Sequence, residues 1–216
     1  MAKPTVSEVA TAMRAAVGDL TPEELRIVVA TYRKLAQGDP VSPADVAARA
    51  GVDEAAVRAF YDAKPGVYRD DNGSVIGFWG LALQGMPHGF QIDGGKPIRA
   101  WCAVDPFLIV PVIGAPATVR STDPTTGETV MMTATPDGVL DLTPPGAVTS
   151  FVIPNGPFDH DVIATFCHSV HHFASEQSGR EWTDEHPGTI LYTVHEAFEI
   201  GRRAWAPIID AAALAG

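Results

Sequence analysis

The chain has 216 residues, 46% hydrophobic and 19% charged, a globular composition long enough to bury a core. A formal net charge of −11 repels nucleic-acid phosphates and anionic lipid, so neither is expected as a partner. No stretch approaches the roughly 20 consecutive apolar residues that span a bilayer; the longest run, near Phe107–Gly114, is interrupted by Pro111. The N-terminal segment holds acidic residues and no continuous apolar stretch of the signal-peptide kind, which predicts a cytoplasmic location.

The first helix signal is Thr21-Pro22-Glu23-Glu24, with Thr21 as N-cap, Pro22 at the first helical position and Glu24 closing a capping box. Leu25, Val28, Val29, Tyr32 and Leu35 follow at helical spacing. Ser42-Pro43-Ala44-Asp45 repeats the start, and a third helix runs from about Glu54 to Ala63, so the pair around Gly51 reads as helix-turn-helix. Asn72-Gly73 between two β-prone runs signals a hairpin. Helices followed by a hairpin predict a winged-helix-like N-terminal subdomain over residues 1–80. DNA binding is opposed by 9 Lys/Arg against 11 Asp/Glu in that stretch, a balance of −2, and a scaffold or capping role is expected instead.

Beyond residue 80 the texture turns to β. Expected strands are Trp79–Leu83, His88–Ile92, Ala117–Ser121, Thr129–Thr135 and Val148–Ile153, with turns at Thr126-Gly127 and Pro136-Asp137-Gly138. The apolar run Phe107–Ile113 fits helix or strand. The tail reads as helix over Asp161–Ser175 and again from about Leu191 to Leu214. The expected class is α+β: the helical subdomain packed on a mainly antiparallel β core with C-terminal helices, the second unit spanning 81–216.

Two cysteines, 65 residues apart, do not make a disulfide framework; each could be a small buried hydrophobe. Their surroundings say more. The first lies in Ala100-Trp101-Cys102-Ala103-Val104-Asp105, the second in Phe166-Cys167-His168-Ser169-Val170-His171-His172-Phe173-Ala174-Ser175. These segments resemble the A-W-C-A-x-D and S-F-C-x-x-V-H-F-F-A-S motifs of the alkylmercury (organomercurial) lyases. The likeness extends to Asp70–Gly77 as D-x-x-G-x-[IV]-x-G and to Val194–Phe198 as V-H-E-A-F, covering about Leu20 to Gly201.

The resemblance implies that Cys102, Asp105 and Cys167 react: two soft thiolates on mercury and an acid that protonates the departing carbon. It implies an organomercurial substrate, Hg(II) retained as product on Cys102, Cys167 and Asp105, no dissociable cofactor, an external thiol, and transfer of Hg(II) to a mercuric reductase. Some members carry further cysteines where this chain has His168 and, in the strand before the Thr-Gly turn, Asp123 or a neighbour. Monomer and homodimer both stay open.

Two rival readings stand beside this one. Asp105-Pro106 reads as N-cap followed by first helical position, and a capping carboxylate makes a poorer acid. On a helix, His168, His171 and His172 with Cys167 would have the spacing of a zinc or copper site; the simpler expectation is a buried, hydrogen-bonded His171 with the other two solvated. A non-catalytic protein that binds or senses mercury or copper through its thiols is therefore the alternative, and it would have no use for Asp105.

Overall fold

The computed structural model describes residues 3–215. Four helices come first: α1 (Val6–Val17), α2 (Pro22–Leu35), α3 (Pro43–Ala50) and α4 (Glu54–Ala63). α2 carries the expected Thr21/Glu24 capping box and α3 the Ser42 cap. α1 was not among the expected helices, although Thr5 and Glu8 form a capping box of the same kind. The hairpin strands β1 (Val67–Arg69) and β2 (Val75–Phe78) follow, and Val41 between α2 and α3 bridges to Val75. Helices α2, α3 and α4, the Val41 bridge and the hairpin follow one another in the order read from the sequence.

The hairpin is also the edge of a larger sheet. β3 (Leu81–Ala82), β4 (His88–Ile92), β5 (Ile98–Ala100), β6 (Ala117–Thr122), β7 (Thr129–Thr135) and β8 (Gly138–Thr143) complete an antiparallel sheet of order β1-β2-β3-β5-β4-β6-β7-β8. A second antiparallel sheet has β9 (Val148–Val152) between β10 (His172–Phe173) and β11 (Thr189–Thr193). The remaining helices are α5 (Asp105–Ile113), α6 (Val162–Thr165), α7 (Glu176–Glu185), α8 (Val194–Ala204) and α9 (Ala206–Leu214). The class is α+β.

α5 is the centre of the core. Every side chain from Asp105 to Val110 is buried, so its sequence shows no amphipathic period and could not be assigned from pattern alone. It contacts α2, α8, α9 and the inner face of β6 and β7, where alternate residues Ala117, Val119, Val130, Met132 and Ala134 are buried. α8 approaches closely because Gly201 has no side chain; a Cβ there would stand 3.1 Å from Phe107 and Leu108.

Three expectations need correction. The strand expected at Trp79–Leu83 shrinks to Leu81–Ala82, because Trp79 (φ 37°) and Gly80 (φ 95°) leave the extended region. The helix expected over Asp161–Ser175 stops at Thr165: a 3-10 turn, Cys167–Ser169, follows, and His172–Phe173 is drawn into pairing with β9. The long C-terminal helix starts only at Val194, capped by Thr193, and restarts after Trp205 with Pro207 in its first turn.

The two sheets meet through histidines. His88 Nδ1 lies 2.7 Å from Ser121 Oγ, His172 Nδ1 lies 2.9 Å from Thr149 Oγ1, and the two rings meet edge to face with centroids 6.4 Å apart. It is His172, not His171, that is fully buried; His171 is half-buried and His168 exposed. Burial pushes both His88 and His172 down from 6.5 to about 3, helped by neighbouring rings, so both are neutral in the fold. The unfolded chain protonates them near 6.5 and the folded chain near 3. Stability is therefore complete above pH 6.5 and drains as pH falls, by about 1.4 kcal/mol per pH unit for each ring. Urea unfolding between pH 7 and 4 should show this slope, and His88→Gln should lose its share of it.

Candidate active site

The two cysteine segments meet at one backbone hydrogen bond: Ala103 N–H donates to the Val170 carbonyl at 3.1 Å. Cys102 ends the approach from β5 and precedes α5; Cys167 opens the 3-10 turn whose last carbonyl-side partner, Val170 N–H, donates back to Cys167 at 3.1 Å. Each bond fixes a segment with little regular structure of its own. The result is that Cys102, Asp105 and Cys167, all buried, bring two sulfurs and a carboxylate oxygen within 4.8 Å of one another. Among the described residues this is the cluster of His, Cys, Asp and Glu with metal-holding geometry, and the histidines of 168–172 take no part.

Asp105 is not the N-cap expected from Asp-Pro. Val104 occupies that position, and Asp105 is the first residue of α5, with Pro106 second. Its Oδ2 turns back to accept the Cys102 N–H at 2.6 Å. Burial raises its pKa to about 6, even though the Cys102 and Trp101 amides and the Cys102 thiol hold it back. The thiol of Cys102 is pushed well up by burial, by its hydrogen bond with Cys167 and by the negative charge of Asp105. Acid and thiol thus share a dry site in which negative charge is costly until a cation arrives.

A cavity of about 180 Å³ opens onto this site. Cys167 and Asp105 line it; Cys102 lies behind them with no exposed surface. The walls are mainly apolar: Trp79, Trp101, Phe158, Phe166 and Trp205, with Met13 from α1. Trp101 and Phe166 adjoin the two cysteines in sequence, whereas Trp79, Met13 and Trp205 arrive from distant segments.

Asp123 does something else. Oδ1 accepts from the Thr125 and Thr126 amides at 2.8 and 3.2 Å, and Oδ2 from the Ala174 amide at 2.8 Å and the Ser178 hydroxyl at 2.7 Å. Burial would raise this carboxyl, but Ser178 and the three amides outweigh it and hold the pKa below the usual range. It fastens the β6–β7 turn to the start of α7. Asp123→Ala should cost about 3 kcal/mol in urea unfolding, since it strands buried donors, while leaving the site geometry to the folded fraction.

Two sulfurs and one carboxyl converge beneath an apolar cavity, a donor set whose chemistry suits a soft metal. Residues 81–206 match the MerB family model, alkylmercury lyase. An alkylmercury lyase of Staphylococcus epidermidis (strain ATCC 12228 / FDA PCI 1200) is 37% identical over 174 residues, 81% of this chain and 79% of the relative. That of Pseudomonas putida is 34% identical over 181 residues, 83% of this chain and 84% of the relative. The crystal structure of the mercury-bound form of MerB2 shares the fold, with a TM-score of 0.70 at 21% identity, over 95% of this chain and 100% of that one. The chain belongs to the alkylmercury lyase family.

Proposed function

We propose that the protein cleaves carbon–mercury bonds by protonolysis, releasing a hydrocarbon and Hg(II), with Cys102, Cys167 and Asp105 as the reacting groups. The observation that carries this reading is the convergence of two thiols and a buried acid within 4.8 Å. A protein that only bound mercury would need the sulfurs alone. A carboxyl raised to about 6 at the same point is what a proton transfer to carbon requires.

The cavity exposes Cys167 and hides Cys102, so the order of events follows. The Cys167 thiol takes the organomercury group from its thiol carrier, R–Hg–SR′, and returns R′SH. As Cys102 sulfur then bonds the metal, its proton passes to the carboxylate of Asp105. Two thiolates now load electron density onto mercury and thence onto carbon. Asp105 delivers the proton to that carbon as the C–Hg bond breaks, R–H leaves, and Hg(II) stays on both sulfurs. Two external thiols then exchange onto the metal and return both cysteines to the thiol form. No resident cofactor enters the scheme.

Hg(II) leaving on thiols is a suitable substrate for a mercuric reductase, which would complete detoxification. Both cysteines are free, and thiols this close need a reducing compartment such as the cytoplasm. Among the described residues no helix is long and apolar enough to cross a membrane.

Purified reduced protein incubated with phenylmercuric acetate and excess thiol should release benzene, measurable by headspace gas chromatography. Cys102→Ala and Cys167→Ala should each abolish release, and Asp105→Ala should slow it by roughly 100-fold or more. Stoichiometric mercury binding without benzene would overturn the enzyme reading. Because Asp105 must start ionised, kcat/KM should fall below a pH of about 6, and this acid limb should be missing in Asp105→Asn.

A further inference from the structure

One strained turn presses on the acid. Trp79 has φ 37° and Gly80 φ 95°, the pair of positive values that the two-residue hairpin turn between β2 and β3 demands, and the first of them falls on a bulky residue. A Cβ built on Gly80 would lie 2.5 Å from both Cγ and Oδ1 of Asp105 and 2.9 Å from its Cβ. The three nearest atoms are all Asp105. The carboxyl therefore rests against the bare Cα of Gly80, in space that no other residue type leaves free. The carbonyl of Gly80 also accepts the Trp101 N–H at 2.9 Å, one residue before Cys102.

The turn is held from the helical side. Tyr32, fully buried on α2, donates its hydroxyl to the Trp79 carbonyl at 2.8 Å. The Trp79 indole N–H donates to the Pro65 carbonyl at 2.8 Å, its amide donates to Gly66 at 3.1 Å, and its ring stacks on Phe78 at 5.0 Å. From the other side Leu81 pairs with Phe78 to close the hairpin and Trp101 N–H holds the Gly80 carbonyl, and the surface the turn presents meets the acid.

We propose that the Trp79–Gly80 turn, braced by the Tyr32 hydroxyl, is the positioning element of this site: Gly80 sets where the Asp105 carboxyl stands relative to the two sulfurs. Neither Gly80 nor Tyr32 transfers a proton or touches mercury. The inference rests on Asp105 being the proton carrier. It gives the helical segment a part in the chemistry through backbone geometry, separate from the wall that Met13 supplies.

The test compares wild type, Asp105→Ala, Asp105→Gly, Gly80→Ala, Tyr32→Phe and the double variant Gly80→Ala/Asp105→Gly. Gly80→Ala should lower kcat for phenylmercury roughly 100-fold, the scale of an ångström misplacement of a reacting group. KM and two-sulfur Hg(II) binding, read from the thiolate–mercury absorbance band, should stay unchanged. Tyr32→Phe should lower kcat roughly 10-fold at unchanged KM and move the acid limb by about half a pH unit, because the carboxyl's surroundings change. In urea unfolding, the destabilisation by Gly80→Ala should shrink sharply in the Asp105→Gly background, where the opposing side chain is gone. A wild-type rate and acid limb in Tyr32→Phe, or a Gly80→Ala penalty independent of residue 105, overturns the proposal. If Gly80→Ala does not fold alone, Tyr32→Phe, which adds no atom, decides. Slow Asp105→Ala beside fast Gly80 and Tyr32 variants sinks this inference only; fast Asp105→Ala sinks the assignment of Asp105 itself.

Discussion

The hydrogen bond from Ala103 to Val170 is the constraint on which the rest depends. It joins two segments 67 residues apart in sequence, neither of which is helix or strand at that point. Without it the sulfurs of Cys102 and Cys167 would belong to separate loops. Its position also bars one continuous helix through Ala174: the Val170 carbonyl is committed to a partner outside its own segment. A helix through 161–175 would have satisfied the local backbone but consumed that acceptor.

The dry environment follows from the same convergence. α5 enters the core with its first residue ionisable and the next five apolar, and it is covered by helices from both ends of the chain. The Asp105 carboxyl and the Cys102 thiol so placed resist ionisation, which burial expresses as raised pKa values. The arriving mercury cation removes that penalty, since its charge compensates thiolates that would otherwise be unfavourable. Stability and reactivity are thus opposed at this point, and the surrounding aromatic and aliphatic packing has to hold the arrangement together.

Much of this was legible from the residues. Thr21 and Ser42 stand at helix starts whose chemistry is local, and β4 and β7 kept their expected bounds, β6 gaining one residue, because turns and alternation are read within a few residues. The reacting set was legible because A-W-C-A-x-D and F-C-x-x-V-H are contiguous motifs. What could not be read is what depends on distant partners. α5 shows no period because it is buried all round. The His168–His172 stretch has helical spacing, yet His168 falls in a 3-10 turn and β9 pairs with His172, whose ring ends up in the core facing Thr149. Trp79 has its unusual φ because Phe78 pairs with Leu81 across a two-residue turn, and a tryptophan at that position does not announce it.

The shared sheet has a consequence for how the chain can be divided. β2 and β3 are hydrogen-bonded neighbours, so the eight-stranded sheet continues straight through position 80. A fragment beginning there would bare an edge strand whose buried Leu81 and Ala82 had lost one row of partners, an invitation to pair with another molecule. Swapping the leading segment for that of a distant relative would demand a matching strand register as well as a matching helix face.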